Sequence, residues 1–346
     1  MKDSPRSQGY VFPAEWEPHE ATWLTYPVHE DSFPGLLHEV VRPYHQFIRA
    51  ISVSEKVRIN VDNAMQLEQV RKQMEAEEMD LSALEFFIHP SDDVWCRDHG
   101  PCFVVNRDAP VPKAIVLWNF NAWGEKYTFG KDARIAESIA RALRIPTFEP
   151  GIVMEGGSIE VNGHGTLLTT EACLLHPNRN PDLSRERIES LLCGYYGVEK
   201  ILWLPEGIEG DDTDGHIDDV ARFVNKDTVV AAVEKKKKDK NYEPLQNNLR
   251  ALSRMRLASG KQIQVAEIPM PVPIVEKGQR FPASYANFYI TNKVVIVPLF
   301  QCKQDDEAME VLGNFFPGRK ILGIDSTRII QGFGSFHCLS QQEPAI

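Results

Sequence analysis

The strongest constraint on the fold is a rhythm of paired short strands, each pair followed by an amphipathic helix and one more strand. Residues 220–225 and 228–233 are apolar runs separated only by Lys226-Asp227, and residues 288–290 meet 294–299 across Thr291-Asn292-Lys293. Connections this short make antiparallel hairpins. A doubly wound parallel sheet would instead alternate single strands with helices. The rhythm therefore predicts an α/β chain of repeated strand-strand-helix-strand units, although no sequence identity links one unit to the next. Further strands are expected at 56–61, 114–120, 166–170, 200–205, 262–268 and 320–324, and residues 288–297 as a whole read as strand-forming. Helices are expected near 36–53, 65–78, 133–143, 184–196, 244–257 and 306–315. In the last of these, Ala308, Val311, Leu312 and Phe315 fall at helical spacing.

A chain of 346 residues exceeds what one ordinary core supports, so it implies two domains or one large closed architecture. The absence of any Pro/Ser-rich linker leans toward the second. A net charge of −11 argues against nucleic acid or an anionic membrane surface as partner. No apolar stretch approaches the roughly 20 residues of a membrane span. The first residues, Met-Lys-Asp-Ser-Pro-Arg-Ser-Gln, lack the apolar core of a secretory signal, so a cytoplasmic location is expected. Cys96, Cys102, Cys173, Cys193, Cys302 and Cys338 form no CxxC pair and no zinc-like spacing, which speaks against a disulfide framework. The lysine run 235–238 reads as a solvated loop at a strand end.

Reactive side chains concentrate beside glycines and prolines in four segments: 92–101, 154–158, 210–219 and 332–338. His216-Ile217-Asp218 leads into an apolar strand, and an extended backbone there would put the imidazole and the carboxylate on one side. The carboxylates from Glu209 to Asp219 admit three readings: a cation site, a polar turn or a metal cluster. The polar turn is favoured, because no second His stands at ligand spacing and the order is not that of an EF-hand. Cys338 follows a Gly-x-Gly turn. An isolated Cys is more often a buried apolar residue than a nucleophile, but the separate His-x-Asp pair raises the second reading, since a catalytic Cys and its His are neighbours in space rather than in sequence. His337 would point away from Cys338 and reads as structural or as a support behind the reacting groups. Cys96, Cys102, Cys173, Cys193 and Cys302 read as packing.

Taken jointly, the segments resemble the agmatine deiminases, a branch of the peptidylarginine deiminase family within the guanidino-group-modifying penteins. The resemblance runs through Pro13-Ala-Glu15-Trp16-Glu-Pro-His19-Glu20-Ala-Thr-Trp23, Trp95-Cys-Arg97-Asp98-His-Gly100-Pro101 and Asn119-Phe-Asn121-Ala-Trp123-Gly124. It continues in Glu155-Gly156-Gly157-Ser158, Asp212-Thr213-Asp214-Gly215-His216-Ile217-Asp218, Pro282-Ala-Ser-Tyr285-Ala-Asn287-Phe and Gly332-Phe-Gly334-Ser-Phe-His337-Cys338. It implies a five-bladed pseudo-symmetric α/β propeller, a single catalytic domain over residues 1–346, and hydrolysis of agmatine to N-carbamoylputrescine and ammonia on the way to putrescine. It also implies Cys338 as nucleophile, His216 as general acid and base, and Asp98 and Asp218 as the carboxylates gripping the guanidinium, with no metal or organic cofactor.

Trp95, Trp123, Glu155 and Asp212 are the expected substrate-binding residues, with Asp212 placed at the far ammonium. Glu125 and Glu160 add acid toward that end, and Arg97 is expected to brace Asp98. The partner is a small cationic guanidino compound, and a homo-oligomer is left open. The rival readings are a deiminase of free or peptidyl arginine giving citrulline, a metal-dependent amidohydrolase using residues 209–219, and a non-catalytic polyamine binder.

Overall fold

The computed structural model describes residues 3–346; Met1 and Lys2, at the head of the expected leaderless N-terminus, lie outside the described residues. The fold is mixed α/β, built on five sheets of three or four strands, with one further two-stranded ribbon at Val275–Glu276 and Gln279–Arg280. Four sheets follow chain order: Cys102–Val105, Lys113–Val116, Thr147–Phe148; Ile159–Val161, Thr166–Thr170, Lys200–Leu204; Ala221–Asn225, Thr228–Val233, Gln264–Pro269; and Tyr289–Ile290, Val294–Leu299, Lys320–Asp325. In each, the first two strands are antiparallel and the third is parallel to the second. A parallel neighbour requires a crossover. The helices Ile135–Leu143, Arg185–Tyr196, Tyr242–Leu252 and Gln304–Phe315 supply it in turn.

The fifth unit is assembled from both ends of the chain. Ser340–Pro344 pairs antiparallel with His19–Thr25, which runs parallel to Lys56–Val61 and so to Leu84–Ile88. Helices Leu37–Ser52 and Ala64–Ala76 make its crossovers, the second opened by Asn63, whose side chain accepts from the Gln66 backbone N–H.

One local feature recurs in all five units: a short turn just ahead of the first strand. These turns are Cys96–His99, Gly156–Ser158, Ile217–Asp219, Tyr285–Asn287 and the segment around Cys338 that enters Ser340–Pro344. The turn at Ile217–Asp219 replaces the extended backbone expected there, and the strand starts at Ala221. Cys96 likewise lies in a helical turn rather than an extended segment, and is buried as expected. The expected strand over 288–297 divides into two members of a hairpin, because Thr291-Asn292-Lys293 turns the chain. One apolar cluster beneath the turns includes Tyr44, Phe47, Tyr289 and Phe336, and also Trp95, Trp123 and Cys338, so the chemistry-bearing residues rest directly on packed core. Among the described residues no helix is long and apolar enough to cross a membrane.

Candidate active site

The recurrent turns bring side chains distant in sequence into one place. Asp98 comes from the first, the Gly157 backbone from the second, Asp218 and Asp219 from the third, Asn287 from the fourth and Cys338 from the fifth; His216 immediately precedes the third. The Asp98 carboxylate accepts the Gly157 N–H at 2.8 Å and the Trp123 indole N–H at 2.9 Å. His216 Nδ1 lies 3.9 Å from Asp98 Oδ2 and 4.0 Å from Asp218 Oδ1, and its Nε2 lies 4.0 Å from Glu155 Oε2. Among the described residues, neither nitrogen of this buried imidazole, nor Asp218 Oδ1, nor Glu155 Oε2, has a hydrogen-bond partner. Buried polar atoms are ordinarily satisfied. The unspent His216 Nδ1 and Asp218 Oδ1, with the Asp98 carboxylate beside them, mark a place built for a polar guest, while Glu155 Oε2 faces the other ring nitrogen. Gly157 is the residue that keeps this place open, for a Cβ there would sit 2.6 Å from His216 Nδ1 and 3.0 Å from both Asp218 Oδ2 and Asp98 Oδ1.

Cys338 Sγ lies 3.5 Å from Asp218 Oδ2 and accepts the Asn287 side-chain N–H at 3.0 Å. Burial pushes its thiol well above the ordinary range, and the anions Asp218, Asp219 and Asp98 push the same way. Asp98 is itself held well above the usual carboxylate range, by burial first and then by Asp218 and Glu155. Burial drives His216 down to about 3, which makes it neutral in the empty site. Asp218 goes the other way: against burial, the hydrogen bond from His337 holds it below the usual range.

Behind Asp218 stands a buried relay that sequence reasoning missed. His337 Nδ1 meets Asp218 Oδ2 at 2.7 Å and its Nε2 meets Glu15 Oε2 at 2.8 Å. Glu15 also receives Arg222 at 2.9 Å and Arg97 at 3.3 Å. Although burial raises it, Arg222 and His337 hold Glu15 well below the usual range. The expected brace from Arg97 to Asp98 is thus corrected: the guanidinium turns to Glu15, Gln342 and the His337 carbonyl. Arg222 was detectable as a lone charge inside an apolar strand. Glu15 lay in a recognised motif, but nothing local revealed its partners.

From Cys338 outward runs a cavity of about 680 Å³ lined by Trp95, Trp123, Asp98, Asp93, Asp212 and Lys126 among others. Trp95, Trp123 and Asp212 therefore face the cavity. Asp212 is partly occupied, accepting the Tyr127 hydroxyl at 2.6 Å and lying 3.7 Å from Lys126 Nζ. Glu155 does not line the cavity; it is fully buried, one oxygen bonded to Arg179 at 2.6 Å and the other turned to His216. Glu160 is also corrected, because Arg222 takes it at 2.7 Å and withdraws it from the cavity, and Glu125 is an exposed loop residue. The run 209–219 is a polar turn: Asp211 accepts the backbone N–H of Thr213 and of His216, Asp214 pairs with Arg179, and Glu209 pairs with Lys240.

The model of the Porphyromonas-type peptidyl-arginine deiminase family matches residues 11–344. An inferred agmatine deiminase of Selenomonas ruminantium is 38% identical over 100% of this chain and 99% of its own. The solved agmatine deiminase of Enterococcus faecalis superposes with a TM-score of 0.91 at 33% identity, covering 99% of this chain and 97% of that one. A Cys-to-Ser variant of the C. jejuni agmatine deiminase with substrate bound superposes with a TM-score of 0.88 at 30% identity, over 97% and 96% of the two chains. The chain belongs to the Porphyromonas-type peptidyl-arginine deiminase family.

Proposed function

We propose that this chain is one catalytic domain that hydrolyses the guanidinium of agmatine, giving N-carbamoylputrescine and ammonia. The observation that carries the reading is the convergence of Cys338, Asp98 and the His216–Asp218 pair, from three different units, at the inner end of an acidic cavity. A guanidinium is a permanent cation with a planar fork of N–H donors, so paired carboxylates hold it by charge and fix its plane. Asp98 and Asp218 are assigned that role.

With the cation between them, the charges that suppress the Cys338 thiolate are offset. The thiol proton passes to His216, and the sulfur forms a bond to the central carbon. His216 returns the proton to the departing nitrogen, the C–N bond breaks and ammonia leaves a thiouronium cation on Cys338. Water then gives a proton to His216 and its oxygen to the carbon. The C–S bond breaks, the ureido product departs, and one further proton is released to solvent while that on His216 restores the thiol. Glu155 is assigned to orient His216 through Nε2. The five strand-strand-helix-strand units suit a five-bladed propeller around this site, with the fifth unit closed by Ser340–Pro344, and the presence of one turn per unit at the site supports that arrangement.

Agmatine is favoured over arginine by the cavity's charges. Among the described residues Lys126 is the cation lining it, and it is committed to Asp214 at 2.9 Å. An α-carboxylate would be buried without a partner beside Asp31, Asp92, Asp93 and Asp212, whereas an ammonium suits them. Ammonia release across agmatine, arginine and arginyl peptides tests this. We expect kcat/KM for agmatine to exceed that for arginine by about a thousandfold or more. Comparable efficiency on arginine would overturn the substrate assignment.

A further inference from the structure

Of the five turns that meet at the site, the fourth contributes a residue with no place in the chemistry so far. Asn287 ends the turn Tyr285–Asn287, which Ser284 caps by accepting the Ala286 N–H, and it is 1% exposed. Its side-chain nitrogen lies 3.0 Å from Cys338 Sγ and 3.0 Å from Asp219 Oδ1. Its side-chain oxygen accepts the backbone N–H of His337 at 3.1 Å and of Cys338 at 3.3 Å. The amide has two hydrogens and two lone pairs, and each is used. The reverse orientation would set its oxygen against a carboxylate and its hydrogens against two backbone donors, so the surroundings fix which end faces the sulfur.

We propose that Asn287 is the residue that holds the nucleophile: its N–H stabilises the Cys338 thiolate while its carbonyl fixes the backbone carrying that cysteine. The proposal rests on the reading of Cys338 as nucleophile. A hydrogen bond donated to sulfur favours the anion over the thiol. It therefore opposes Asp218, Asp219 and Asp98, the charged groups that act against the thiolate. Beside these stand His216, 4.0 Å from Asp218, His337, bonded to Asp218, and Glu155, 4.0 Å from His216, while Asp31, Asp92, Asp93, Lys126, Tyr127 and Asp212 line the cavity farther out. In the empty site burial and the carboxylates of Asp218, Asp219 and Asp98 outweigh this hydrogen bond, and the donor becomes decisive once a bound cation offsets those carboxylates.

The test is the pH dependence of Cys338 alkylation by iodoacetamide, read by mass spectrometry at that residue, in the wild type, Asn287→Ala and Asn287→Asp. Asn287→Asp keeps the oxygen that accepts the backbone N–H groups and sets a carboxylate oxygen where the donor stood, so the backbone anchoring survives it while the sulfur faces an acceptor in place of an N–H. Both variants are expected to shift the alkylation midpoint upward by about one pH unit or more and to lower kcat at least tenfold. A midpoint unchanged in Asn287→Asp overturns the proposal, and Asn287→Asp carries the test alone if Asn287→Ala fails to fold. The parent reading fails separately: Cys338→Ser would then retain turnover, whatever Asn287 does to the sulfur.

Discussion

Cys338, the proposed nucleophile, is placed where its own anion is disfavoured, and that conflict sets two predictions. Burial and then Asp218, Asp219 and Asp98 raise its thiol, so the thiolate accumulates only as pH rises and kcat/KM is expected to climb toward alkaline pH. Bound guanidinium offsets those carboxylates, so kcat should begin its rise at lower pH than kcat/KM. His216, driven down to about 3 by burial, contributes no ionisation to the free-enzyme profile near neutrality. Coincident, acid-shifted profiles would show a thiolate already formed in the free enzyme. Replacement of Cys338 by Ser is expected to lower turnover at least about a thousandfold while leaving agmatine binding measurable by calorimetry, because an alcohol of far higher pKa takes the place of the thiol. A tenth of wild-type turnover would exclude the covalent route. The residues behind these predictions were legible because each stands in a dense motif. What closes around them was not, since Glu15 reaches His337 across 322 positions and Asn287 reaches Cys338 across 51.

Elements of regular structure place the site, but the irregular segments between them shape it. The hairpins and helices could be read from apolar periodicity, and Thr166–Thr170 and Thr228–Val233 fall where that periodicity puts them. Cys102–Val105, Ile159–Val161 and Ser340–Pro344 were not anticipated, being too short or too polar for an alternation signal. Even less apparent was the loop Ala122–Glu125, where Trp123 takes φ 56° and Gly124 φ 96° so that the indole N–H can reach Asp98. The Asn121 side chain holds this bend by accepting the Gly124 N–H at 3.0 Å. Gly124→Ala is a direct test of the loop. Its Cβ would stand 2.2 Å from Asn178 Nδ2 at a backbone angle that side chains resist. The expected result is a loss of about 1–3 kcal/mol in stability and a fall in kcat/KM of about tenfold or more, as Trp123 leaves Asp98. Gly130→Ala, with nothing within 4 Å of its Cβ, should leave both unchanged. Equal activity in the two variants would detach Trp123 from the chemistry.

At the scale of the whole molecule, the last strand pairs the two ends of the chain. Ser340–Pro344 is buried throughout, despite the sequence Ser-Gln-Gln-Glu-Pro, because its polar groups are spent on the other end of the chain and on the first unit. Glu343 accepts from the Trp23 indole at 2.9 Å and from Lys113 at 2.6 Å, and it pairs with Arg58; Gln342 accepts from Arg97 at 2.7 Å. Cys338 lies two residues ahead of this strand, so the position of its sulfur is set by the same pairing that joins the chain ends. Breaking a buried ion pair by removing one partner typically costs about 3–5 kcal/mol, a large share of the roughly 5–15 kcal/mol that keeps a domain folded. Glu343→Gln leaves Arg58 and Lys113 with Glu85 and Glu20, on the more exposed side, and is expected to lower the melting temperature while the folded fraction keeps its kcat. A chain ending at Leu339 loses the backbone ladder as well as both side chains. It should lose cooperative unfolding in calorimetry and all ammonia release together. A truncated chain that melted cooperatively at the wild-type temperature would show that the two ends do not close the fold.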